Sequence, residues 1–209
     1  TDYDNFLINT ALFSFFLSLF FTVVLHNILP RFRYFRIFKR YEGRWLQIIP
    51  ESRQRPVSVI NFNYRKDLKE YEMHGINFTN DFQTGIEFIS HKFIEREHYD
   101  GFYYITNHTW EQKNGLGKIG FMRSNVDGLI RAEGYFFDAS NENCSKKYNT
   151  IMVKCDNNFF NNINPFPCKC QFDKLTEQEI AQLSQKFIEK EIENYKAIHK
   201  NIPCKNCDG

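Results

Sequence analysis

Six cysteines lie in the C-terminal third of the chain, four of them as two close pairs, Cys168-Lys-Cys170 and Cys204-Lys-Asn-Cys207. Two thiolate pairs are what a tetrahedral zinc site needs. Reach is the obstacle: a straight helix between the pairs would be roughly 36 Å long. The two connectors, fully extended, reach back only about 30–35 Å. Zinc on Cys168, Cys170, Cys204 and Cys207 therefore requires a broken helix or a site shared between antiparallel copies; free thiols are the other reading. A second set of residues combines cations with rings on apparent strands, where packing alone would not choose them: Arg44, Trp45, Tyr64, Tyr71, His91, Tyr104, Arg123, Arg131 and Tyr135. A guanidinium presents a planar fork to phosphate, and Trp or Tyr presents a face on which a base stacks. Gathered inside a small cavity, such groups would suit a compact, anionic, ring-bearing ligand. The competing reading is that half of any strand faces water, where arginine is ordinary. Catalytic patterns do not appear: no Ser-His-Asp setting, no phosphate-binding glycine loop, no HExxH, and six histidines scattered singly. An enzyme is not expected.

The elements that would position these residues change character along the chain. From Gly43 to about Asp156, short alternating runs are broken by turn residues. They predict eight strands near 43–49, 56–64, 69–78, 85–96, 101–107, 115–123, 128–138 and 148–155. Asn114-Gly115 and Asp127-Gly128 are the most specific hairpin signals. Eight short strands without an intervening helix predict a mainly β fold, a small eight-stranded antiparallel up-and-down barrel, since closure removes both edges of a meander. A barrel of this size is filled by side chains or holds one small ligand. Residues 157–209 form a Cys-containing tail. It opens with a polar, Asn-rich stretch and continues as an amphipathic helix over about 176–200, announced by a Thr176/Glu179 capping box. The apolar stripe of that helix needs a partner, the barrel wall or a second copy.

Ahead of the barrel, residues 6–29 contain no Asp, Glu, Lys or Arg. As a helix this stretch spans roughly 36 Å, enough for a bilayer core, and predicts a transmembrane helix. The acidic start and bulky residues after Pro30 do not fit a signal peptide. Residues 30–42 are basic and aromatic, with Arg31, Arg33, Arg36, Lys39 and Arg40 on this flank only, which suits a juxtamembrane segment and predicts a cytoplasmic C-terminal domain. Reducing surroundings then make stable disulfides unexpected. Charged residues are 25% of the chain but nearly balanced at net +2, which argues against a surface that coats a nucleic acid polymer.

With these features in order, a Tyr41-x-Gly43-x-Trp45 opening and a Gly134-Tyr-Phe-Phe-Asp138 closing run complete a pattern over roughly residues 6–156. It resembles the SMODS-associated two-transmembrane, β-strand-rich effectors, the minimal-barrel membrane effectors of CBASS antiphage defence. The resemblance implies a barrel that binds a cyclic di- or trinucleotide made by a partner CD-NTase, with no resident cofactor required. It also implies self-assembly of the membrane helices in the lipid bilayer, disruption of the inner membrane and abortive infection. The family has two spans and this chain shows one; a start at Thr1 would fit loss of a first span. The Cys-bearing tail is outside the pattern. Two other expectations stand beside it: a cyclic-oligoadenylate-gated effector of a type III CRISPR system, and a membrane-tethered lipocalin-like carrier, for which Gly43-Arg44-Trp45 is the matching triplet and an apolar cavity the requirement.

Overall fold

The computed structural model describes residues 2–28, 39–65, 70–95, 101–108, 114–122, 127–138, 146–163 and 174–199. The chain divides into two compact units, Thr1–Glu42 and Gly43–Gly209. The first holds helix α1, Asp2–Val23, which continues as π-helical turns over Val24–Ile28. Among the described residues, one helix is long and apolar enough to cross a membrane, over Asn9–His26. Phe13, Phe16 and Phe20 are each more than half exposed on it. Its hydroxyls bond back to the helix itself: Ser14 Oγ donates to the Thr10 carbonyl and Thr22 Oγ1 to that of Ser18, each at 2.9 Å. Hydroxyls satisfied in this way can enter a medium without water.

The second unit is a closed antiparallel barrel in which every strand pairs with the next and β1 pairs with β8. The strands are β1 Gly43–Ile48, β2 Val57–Arg65, β3 Glu70–Phe78, β4 Thr84–Glu95, β5 Gly101–His108, β6 Asn114–Phe121, β7 Arg131–Asp138 and β8 Lys146–Lys154. The predicted fold class is therefore the observed one, with most strand ends displaced by only a residue or two. The seventh strand starts later than expected. Asp127 and Gly128 make a bend, in which Gly128 has φ +75° and the Asp127 carboxylate accepts from Leu129 N–H at 3.1 Å.

Three helices follow: α2 Asn157–Ile163, α3 Glu177–Leu183 and α4 Gln185–His199. The polar, Asn-rich stretch, to which no element was assigned from the sequence, contains α2, because Asp156 caps it: its Oδ1 accepts from the N–H groups of Asn158 and Phe159 at 3.0 and 3.1 Å. The expected Thr176/Glu179 capping box is present in full. The expected single helix is interrupted at Ser184, whose side chain donates to the Ile180 carbonyl at 2.6 Å.

These helices give the barrel a second core outside its wall. Leu46, Ile48, Val57, Val59 and Val153 point outward and are buried with Phe159, Phe160, Ile180, Ala181 and Ile188. The amphipathic stripe thus packs on its own barrel. Strands β1 and β2 are consequently apolar on both faces, as strands covered on both sides must be.

Candidate functional site

Period-two alternation, with the pairing register, sorts the strand residues into those facing the barrel axis and those facing out. Trp45 and Gln47 of β1 face in. So do their partners Ile60 and Ser58 of β2, and across from those Gly75 and Asn77 of β3. At the end where the chain enters β1, the interior is filled by rings. Trp45 lies 5.6 Å from Phe121, Phe62 stacks on Tyr71 at 5.1 Å, and Tyr71 lies 4.9 Å from Phe102. Such offset and edge contacts add to the area they bury.

Towards the opposite end the interior becomes polar. Gln47, Ser58, Ser90 and Thr150 are all buried there, and a slot of about 410 Å³, counting the part open to solvent, lies beside them. Tyr104, Phe88 and Phe136 wall it with rings, while Gln47 and Asn77 supply amides and Ile49, Gly115 and Phe137 complete the rim. Its enclosed space is only about 50 Å³, room for a few water-sized groups and well below the roughly 300–1,000 Å³ of ligand clefts. Two glycines make the ring positions possible. A Cβ on Gly117 would come within 2.2 Å of the Tyr104 ring, and one on Gly75 within 2.3 Å of the Phe88 ring. Burial holds the Tyr104 hydroxyl above its ordinary pKa, so it stays protonated and available as a donor.

The amides are set differently. Ser58 Oγ donates to Asn77 Oδ1, which leaves the Asn77 NH2 group to serve the slot. The Gln47 side chain is 3% exposed, lines the slot, and has no hydrogen-bond partner among the described residues. Thr150 Oγ1, buried on the inward face of β8, also has none. A buried polar group left unpaired costs about 1–3 kcal/mol.

No family model, curated protein or solved structure matches this chain. Its chemistry has to be read from its own side chains.

The ring-and-cation set singled out from the sequence divides by strand parity. Trp45, Tyr71 and Tyr104 face the interior, and Tyr64, cross-strand from Tyr71 and 5.0 Å from its ring, faces the same way at the plugged end. Of these, Tyr104 lines the slot. Arg44, His91, Arg131 and Tyr135 face outward, which corrects the expectation that they share the cavity. The Arg44 guanidinium donates to the Leu175 carbonyl at 2.6 Å, fastening the lead into α3 to the wall. Arg131 bonds Asp127 at 2.6 Å and Glu191 at 3.1 Å, fastening α4. His91 is paired with Ile105 on the outer face of β4, and Tyr135 sits beneath Lys118 and Lys147. A charge inside the barrel would lose its hydration, so these cations stay on the wall where carboxylates, carbonyls and water meet them. Arg123, Cys168, Cys170, Cys204 and Cys207 lie outside the described residues. Cys155 is described; burial raises its thiol pKa to about 12, so it stays protonated and a poor metal ligand.

Sequence reasoning missed Gln47 and Asn77, the amides that line the slot, and Ser58, which bonds Asn77 from behind. The signal was present as polar residues at inward parity within apolar strands. It was hidden because β1 and β2 bury both faces, so neither face stands out as the inner one.

Proposed function

We propose that the chain is a membrane-anchored sensor of a cyclic di- or trinucleotide, with the ring walls of the slot parting to admit the edge of one base of the messenger. The observation that carries this reading is the Gln47 amide, which lines a ring-walled slot and has no hydrogen-bond partner among the described residues. An amide offers a donor and an acceptor side by side, which matches a base edge, and Tyr104, Phe88 and Phe136 offer faces for stacking. None of the slot's lining residues is charged, so the phosphates of the guest remain outside. Arg53 and Arg55 lie in the β1–β2 loop at this end of the barrel, where phosphates would meet them. In this proposal the messenger comes from a CD-NTase, the barrel lies in the cytoplasm, and α1 crosses the inner membrane. Binding favours an assembled state of several copies, whose Phe-rich helices then disrupt the bilayer, as in the CBASS effectors that the sequence resembles. Only a difference in affinity between the resting and assembled states can drive that shift.

A lipocalin-like carrier fits less well, because rings fill the half of the barrel that a long apolar guest would need. A type III CRISPR effector would use the same slot and differ in messenger.

The test is a thermal-shift titration of the full chain in detergent with a panel of cyclic di- and trinucleotides, cyclic oligoadenylates and fatty acids. A ligand at a hundred times its Kd stabilises by about 2.7 kcal/mol, a readily seen rise in Tm. Gln47→Leu should abolish the shift and leave the unliganded Tm unchanged or higher. A shift with fatty acids and none with any nucleotide would refute the sensor reading.

A further inference from the structure

The helices cover only part of the barrel's outer wall. Where exposed charges meet on β2, β3 and β4 they are matched: Arg65 of β2 with Glu72 of β3 at 3.2 Å, and His74 of β3 beside Glu87 of β4 at 3.9 Å. The outer face of β5–β8 is built differently. The register sets Ile105 beside Leu116, Leu116 beside Phe137 and Phe137 beside Lys147; one step along, Lys118 is beside Tyr135. Leu116 is 52% exposed. The Tyr135 ring meets that of Phe137 edge-on at 5.5 Å, with Lys118 Nζ at 5.8 Å and Lys147 Nζ at 4.5 Å from its centre. Neither lysine has a carboxylate partner among the described residues. Among the described residues, Glu133 lies one row further along β7, and the Glu51 carboxylate accepts from Asn149, the cross-strand neighbour of Tyr135, at 2.7 Å, so both acidic groups sit at the edge towards α4.

We propose that this wall docks on an anionic lipid surface. The chemistry is that of a membrane interface: an exposed leucine and aromatic rings to enter the headgroup layer, flanked by lysines whose stems lie along the rings and whose ammonium groups reach lipid phosphates. Anionic lipids supply the charge that the two lysines lack. The tether supplies proximity, because a barrel joined to a span through Asn9–His26 meets the bilayer at high effective concentration, and a weak face is then sufficient. This inference rests on α1 being inserted in a membrane, but not on the slot binding a nucleotide.

The full chain carrying Leu116→Trp, and the unaltered chain as background, would be placed in lipid nanodiscs. One set is phosphatidylcholine alone and the other includes phosphatidylglycerol. The added fluorescence is expected to be quenched by lipids brominated along the acyl chain, and shielded from aqueous iodide, in the anionic discs. In the same discs Lys118→Gln and Lys147→Gln should each lower the ratio of docked to free barrel about fivefold. Fluorescence open to iodide and untouched by brominated lipid in both discs would overturn the proposal. Shielding from both quenchers would also overturn it, in favour of a protein partner or a second copy. Failure of the chain to enter discs would remove the tether and the inference with it, whereas a nucleotide-induced thermal shift would be unaffected by any of these results.

Discussion

Gln47 and Gly117 define the slot in different ways, one by what it offers and the other by what it lacks. Replacing Gln47 by leucine removes an amide that bonds nothing among the described residues. The unliganded fold should therefore tolerate it, gaining up to about 1 kcal/mol as a desolvated polar group is lost. Adding a methyl at Gly117 does the reverse, because the new Cβ would fall 2.2 Å from the Tyr104 ring. Gly117→Ala should cost about 1–3 kcal/mol through overpacking. It should also push the ring into the slot, so that a denaturation series and a ligand titration both register the change. Gly43 shows a third kind of constraint, with φ at +113° where the chain turns into β1. This conformation, and not packing, explains the glycine of the Tyr41-x-Gly43-x-Trp45 run; Trp45 is there to plug the barrel. The roles of Trp45 and Tyr104 as inward rings were accessible from strand alternation. Those of Arg44 and Arg131 were not, since their outward partners come from Leu175 and Glu191, far along the chain.

At the level of elements, the strands were readable because each is bounded by turn chemistry, and the C-terminal helical segment because the Thr176/Glu179 capping box opens it; α2, capped by Asp156 alone, was not. Their docking was less readable: Arg131 joins β7 to α4 through contacts 60 residues apart in sequence. Burial alone would raise the Asp127 carboxyl, but its hydrogen bonds from Arg131 and Leu129 and the Arg131 charge outweigh this and lower its pKa from 3.8. The sign follows from that direction. A carboxyl with a depressed folded pKa adds stability that is fully present above its unfolded value and is lost as pH falls through the folded one. Thermal denaturation from pH 7 down to pH 2 should thus show a fall in Tm below about pH 4, smaller in Asp127→Asn than in the unaltered chain. Arg131→Ala should destabilise by about 1–3 kcal/mol, more than a surface pair would, because Glu191 is left half-buried without its cation. At the other end of the helical layer, Thr176→Ala removes a capping box and should cost about 1 kcal/mol, measurable in the same denaturation series.

For the molecule as a whole, the apolar segment was the plainest signal, since composition alone identifies a helix of that length. If α1 spans a bilayer, the full chain should remain in the membrane pellet after an alkaline carbonate wash, and removal of residues 1–28 should release it. Recovery of the full chain in the supernatant would contradict the anchor. A separate consequence concerns synthesis. Because each strand pairs with its immediate successor, β1 to β7 can zip together in order as they leave the ribosome. The β1 edge, however, has no neighbour until β8 arrives, and the outer greasy flank of β1 and β2 has no cover until α3 and α4 are made. During translation the nascent chain therefore carries an open strand edge beside uncovered aliphatic surface, a hazard for aggregation that ends only when the last helices have emerged. Chaperone demand should track that interval, and a chain stalled before Asn157 should be captured more readily than one extended past His199.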